Sequence, residues 1–131
     1  MSDTRYRAAI VGLGFIGGAD QVSGDRLGQR VEDLDGTHVM ALRQHDRVDL
    51  VAGSSRDDGR RQRFQDRFDV PVFADWQRMF AEAGPLDIVA IATYTSVHAE
   101  LTHAALAAGA RVIYCEKPVA PTVDEAQGMV D

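Results

Sequence analysis

The stretch Tyr6-Arg7-Ala8-Ala9-Ile10-Val11-Gly12-Leu13-Gly14-Phe15-Ile16-Gly17 sets a short apolar run directly before three glycines spaced G-x-G-x-x-G. The run reads as a buried strand, and Gly12 ends it abruptly. After a strand the three glycines have separate duties. Gly12 can make the tight turn, Gly14 lets backbone approach a pyrophosphate, and Gly17 permits close helix-to-strand packing. The N–H groups and positive end of the following helix would then meet phosphate oxygens, so Gly12, Gly14, Phe15, Ile16 and Gly17 are assigned to cofactor binding. The competing reading, glycines that only turn the chain, is weakened by the strand before them.

Working outward, similar apolar runs recur at Val48–Ala52, Ile88–Ala92 and Arg111–Cys115, with a weaker one at Val70–Phe73. Ile88-Val89-Ala90-Ile91-Ala92 has no polar alternation, as expected of a parallel strand covered by helices on both faces. Helical patterns lie between the runs, at His38–His45, Asp58–Phe68, Asp75–Ala83, Val97–Ala108 and from Val123 onward. Thr122 with Glu125 can form a capping box, and Asp75 and Ser96 can cap the helices that follow them. Gly84 and Gly109 stand where helices need a residue that tolerates positive φ. Strand and helix alternate five times. Right-handed crossovers make this an α/β, Rossmann-type doubly wound parallel sheet, with expected strand order 3-2-1-4-5. The acidic, glycine-rich segment at about 18–37 breaks the pattern and reads as an insertion that interrupts the first helix or projects from its end. It is either a solvated loop or a flap over the ligand mouth.

A chain of 131 residues with 45% hydrophobic and 26% charged residues fits one ordinary globular domain. The formal charge of −6 opposes nucleic acid and anionic membrane surfaces. No run is long enough to span a bilayer, and Met1–Arg7 lacks a signal-peptide pattern. The single cysteine, Cys115, fits a reducing compartment, so a cytoplasmic location is expected. Cys115 reads as a small core residue or, less simply, a reactive thiol. The histidines are scattered, and no metal site is expected.

The end of the second strand bears on which dinucleotide is bound. A carboxylate there would accept from ribose hydroxyls, but the chain reads Gly53-Ser54-Ser55-Arg56 before its first acid, Asp57. Ser55 can donate to a 2′-phosphate and Arg56 can pair with it through its planar fork, which favours NADP over NAD. Asp57 reaching back to the ribose is the alternative, with NAD as cofactor. Arg60 is a second candidate for the phosphate; the remaining arginines up to Phe68 read as an ion-paired helix face.

Two further segments, Ala92-Thr93-Tyr94-Thr95-Ser96-Val97-His98 and Cys115-Glu116-Lys117-Pro118, follow strands four and five, at the end of the sheet where parallel folds bind ligands. Together with the glycine motif they make the chain resemble, from Tyr6 to Met129, the N-terminal half of the glucose-fructose oxidoreductase, inositol dehydrogenase and MocA (Gfo/Idh/MocA) family. Glu-Lys-Pro is the most specific element. The resemblance implies an NAD(P)-dependent oxidoreductase acting on a sugar, cyclitol or related polyol, with Lys117 as the catalytic residue beside nicotinamide and substrate. An ammonium there can orient the reacting hydroxyl and offset charge developing on its oxygen. It also implies cofactor contacts from Thr93, Thr95, His98 and Glu116. Glu116 either fixes Lys117 by an ion pair or is a surface acid, and His98 either functions directly or is satisfied by backbone. Tyr94-Thr95 replaces the family's Pro-Asn, and Tyr94 either stacks near nicotinamide or packs. His38 is the counterpart of a histidine that the family places soon after its glycine motif.

In that family a second α+β domain carries the general base, most of the substrate pocket and often the oligomer interface. The resemblance therefore implies a homo-oligomer for a full-length enzyme. It also yields the expectation that residues 1–131 are a single NAD(P)-binding domain, truncated before the sixth strand and that second domain. Such a chain would bind coenzyme without turnover. The alternative is a stand-alone nucleotide-binding or regulatory module.

Overall fold

The computed structural model describes residues 4–20 and 37–131. Strands β1 (Tyr6–Val11), β2 (Val48–Ser54), β3 (Val72–Phe73), β4 (Ile88–Ile91) and β5 (Val112–Cys115) form one sheet in the order β3-β2-β1-β4-β5, and every neighbouring pair is parallel. The helices are α1 (Phe15–Gly18), α2 (His38–Gln44), α3 (Asp58–Phe68), α4 (Trp76–Glu82), α5 (His98–Ala107) and α6 (Val123–Val130). This is the doubly wound topology expected from the alternating pattern. Sheet order reverses between β1 and β4, because α4 carries the chain from the β3 edge to the other side of β1.

The two faces of the sheet bury separate cores. On one, Ala9, Val11, Val89 and Ile91 pack against Met79 of α4 and Leu101 and Ala105 of α5. On the other, Ile10 and Ala90 pack against Phe15, Val39 and Phe64 from α1, α2 and α3. Each large side chain sealed here contributes roughly 1.5–3 kcal/mol. The unbroken run in β4 is explained directly, since its residues alternate between two buried faces. On β5, exposed Val112 and Tyr114 alternate with half-buried Ile113 and Cys115. It is one of the two edge strands of the described sheet, with one face only partly covered.

Helix ends follow local chemistry. Asp75 accepts from the Arg78 N–H and Thr122 from the Glu125 N–H, capping α4 and α6. Gly84 and Gly109 have φ of +84° and +99°. Ser96 departs from expectation. It lies inside a 3₁₀ turn, Thr95–Val97, whose Val97 N–H bonds the Tyr94 carbonyl, so the helix starts at His98 with Val97 as its cap. The four-residue α1 ends at Ala19 in the left-handed region, and the next helix among the described residues begins at His38. The insertion expected at about 18–37 lies, for residues 21–36, outside the described residues.

Candidate functional site

Gly12 has φ +100°, and a Cβ built on it would run into the backbone carbonyl of Ala92 at the end of β4. A Cβ on Gly17 would meet the carbonyl oxygen of Gly12. The turn is thus closed backbone to backbone: the Gly12 N–H donates to Ser54 O at 2.9 Å and the Ala92 N–H to Val11 O at 2.8 Å. Gly14, with no side chain to cap the helix, is the N-cap of α1. Phe15 is buried among Ile10, Leu13 and Phe64, so only its backbone remains for a ligand, while Ile16 is exposed.

Between these elements a cleft of about 520 Å³ opens at the carboxyl ends of β1, β2 and β4. Val11 and Gly12 form its floor, Ser54, Ser55, Arg56, Asp57 and Arg60 one wall, and Ala92, Thr93 and Tyr94 the other, with Trp76 beyond β3. This is the crevice beside the reversal of sheet order, where open parallel sheets bind their ligands. A side chain at position 12 has no room against the Ala92 carbonyl, so the floor of the cleft there is bare backbone, a feature that fits a dinucleotide diphosphate.

The β2 end is preorganised. The Ser55 hydroxyl oxygen accepts from the Asp57 N–H at 3.2 Å, and Arg61 donates to Ser55 O at 2.6 Å. Asp57 is committed as the cap of α3, accepting from the Arg60 N–H at 2.8 Å. Arg56 is exposed and has no hydrogen bond or ion pair among the described residues. Arg60 borders the cleft but lies 3.9 Å from buried Asp20, which Arg63 grips through two bonds of 2.8 Å. That grip holds the Arg63 guanidinium above its ordinary range. Nothing in the sequence marks Asp20 as the buried anchor for α3, because its partner is 43 positions away.

The segment after β4 places Thr93 and Tyr94 in the cleft and Thr95 in the 3₁₀ turn. His98 is fully buried. Its Nδ1 faces the carbonyls of Pro118 at 2.9 Å and Val119 at 3.2 Å, and its Nε2 faces Thr93 O at 3.0 Å. The ring supports the two loops rather than lining the cleft. Beyond β5, Glu116 and Lys117 border a separate shallow recess with Ile113, Tyr114 and Cys115, and the Lys117–Pro118 peptide is cis. Glu116 does not pair with Lys117. Its carboxylate meets His38 Nε2 at 2.8 Å, and the edge of the His38 ring lies against Tyr114. This brings His38, 78 positions distant, onto the Glu-Lys-Pro segment. Lys117 is exposed, and among the described residues its ammonium has no partner. It is the only lysine of the chain, beside thirteen arginines.

Residues 6–131 match the family described as "Oxidoreductase family, NAD-binding Rossmann fold", GFO_IDH_MocA. The chain belongs to this family. Among solved structures, the Gfo/Idh/MocA chain is similar to an oxidoreductase from Agrobacterium radiobacter in complex with NAD+, L-tartaric acid and magnesium. That likeness has 26% identity and TM-score 0.74, over 97% of this chain and 32% of the other. It is similar to GenD2 from gentamicin A biosynthesis in complex with NAD, with 25% identity and TM-score 0.74, over 96% of this chain and 30% of that one. It is also similar to biliverdin reductase from Synechocystis sp. PCC 6803 in complex with biliverdin and NADP+, with 26% identity and TM-score 0.71, over 95% and 33%. The chain therefore spans about a third of the length of these relatives. No curated protein matches it in sequence. Among the described residues no helix is long and apolar enough to cross a membrane.

Proposed function

We propose that this chain is the coenzyme-binding domain of an oxidoreductase that moves hydride between NADP, in preference to NAD, and a sugar, cyclitol or related polyol. The observation that carries the coenzyme preference is the wall of the cleft after β2. Ser55 and the Arg56 guanidinium, unpaired among the described residues, border the cleft ahead of the first acid in sequence, Asp57, which spends one carboxylate oxygen on capping α3. A guanidinium and a hydroxyl suit a 2′-phosphate; they give a bare 2′-hydroxyl no charged acceptor.

The backbone of Gly12–Gly17 would hold the diphosphate, with Thr93 and Tyr94 bordering the nicotinamide half. The bound coenzyme supplies the hydride acceptor or donor. Lys117 orients the substrate hydroxyl and offsets the negative charge that grows on its oxygen as the proton leaves. The 131 residues, which span about a third of the length of their relatives, bind coenzyme without turnover by themselves. Support for the polyol substrate comes from the Glu-Lys-Pro segment and family membership. A cytoplasmic setting agrees with the single cysteine.

Calorimetric titration of the chain with NADP and NAD tests the reading. NADP should bind about tenfold or more tightly than NAD, the difference a charge-assisted pair confers. Adding polyol and NADP should leave absorbance at the reduced-nicotinamide band unchanged. Preference for NAD would overturn the coenzyme assignment, and robust turnover would overturn the division of labour.

A further inference from the structure

Lys117 sits on an exposed segment after an edge strand, on a long stem whose ammonium touches nothing among the described residues. Such a side chain loses about 2 kcal/mol of rotamer freedom when it is fixed, so the backbone that carries it must already be held. It is held on both sides. At position 116, the N–H bonds Ile91 O at 2.9 Å and the carboxylate pairs with His38, whose side chain is only 11% exposed. At positions 118 and 119, the two carbonyls face Nδ1 of fully buried His98. The other nitrogen of His98 faces Thr93 O, and Thr93 borders the coenzyme cleft.

We infer that His38 and His98 are positioning residues that bracket Lys117 and tie it in register with the nicotinamide side of the cleft. The inference rests on the coenzyme reading given above. Each histidine joins elements far apart in sequence: His38 ties α2 to the residue before Lys117, and His98 ties the loop after β4 to the residue behind it. Among the described residues only carbonyl oxygens face the His98 ring, so an imidazolium donates to both loops, whereas a neutral imidazole donates to one and packs against the other. Neither histidine reaches Lys117 itself. Their effect is confined to where its backbone, and hence its ammonium, stands relative to Thr93.

Because Lys117 is the only lysine, reductive methylation with ¹³C-formaldehyde labels it and the terminal amine alone. In the unsubstituted chain, NADP should shift the Lys117 methyl resonance. In His38→Gln and His98→Gln, the resonance should move toward that of a flexible lysine and its NADP-induced shift should collapse. NADP affinity should fall about tenfold, the weight of one lost tie. Affinity for 2′-phospho-ADP-ribose, which lacks nicotinamide, should stay within about twofold, whereas a general loss of structure would weaken both ligands. If His98→Gln does not fold, His38→Gln decides alone, since it leaves the buried ring in place. An unchanged Lys117 shift in the folded variants, or equal loss of both ligands, overturns the bracket alone. Failure of the unsubstituted chain to bind 2′-phospho-ADP-ribose overturns the coenzyme reading and the bracket with it.

Discussion

Four glycine-to-alanine substitutions separate backbone conformation from crowding in the Gly12–Gly17 turn. Gly109 has φ +99° with nothing within 4 Å of an added Cβ, so Gly109→Ala measures the left-handed backbone alone, about 1–2 kcal/mol. Gly17 carries no positive φ, but its Cβ would strike Gly12 O, so Gly17→Ala measures overpacking against main chain, about 1–3 kcal/mol. Gly12 combines φ +100° with a collision against the Ala92 carbonyl, between the two central strands. Gly12→Ala should therefore cost about 2–5 kcal/mol, a large share of the stability of a domain this size. Gly128 lies in α6 with nothing within 4 Å, and Gly128→Ala should stabilise by up to about 1 kcal/mol. Urea denaturation followed by circular dichroism gives the four values if the slopes agree. NADP titration should show binding weakened by Gly12→Ala and untouched by Gly109→Ala. The reasoning fails if Gly12→Ala costs no more than Gly109→Ala, or binds NADP as well.

At the β2 end, Arg56→Ala should weaken NADP about ten- to a hundredfold and leave NAD within about twofold, and Ser55→Asp should reverse the preference; competition binding with both coenzymes checks the pair. Burial first, and then the Glu116 carboxylate, push the Cys115 thiol above its ordinary range. Little thiolate is then present at pH 8, and alkylation by iodoacetamide should be several-fold slower in the folded chain than in urea; equal rates would contradict this. The Thr102 hydroxyl is buried with no hydrogen-bond partner among the described residues, so Thr102→Val should raise stability by about 1 kcal/mol in the same urea assay.

The sheet was legible because its signals are local. Tyr6–Val11 and Asp58–Phe68 coincide with the expected strand and helix, since an apolar run cut by glycine and a charged helical run between two apolar ones show in the local pattern; that Asp57 caps the helix appears only in the structure. Ser96 misled because a hydroxyl one turn before a helix looks the same in sequence whether it caps or sits within a 3₁₀ turn; the Val97-to-Tyr94 bond decided it. The cleft's two walls were legible from the rule that ligands bind at strand carboxyl ends. The tie between Glu116 and His38 was not. Carboxylates have no sequence mark for a partner 78 residues away, and adjacent Lys117 offered the more obvious charge. His98 was ambiguous for a related reason: a ring enclosed by three backbone carbonyls and one bound to a ligand share the same residue and spacing.

Whether a dinucleotide lies across the backbone turn Gly12–Gly17 is measured most directly by isothermal calorimetry of the folded 131-residue chain with each coenzyme. Both should bind saturably, NADP the tighter, with the NADP signal weakened by Gly12→Ala. No heat of binding from either coenzyme at millimolar concentration would contradict the coenzyme reading.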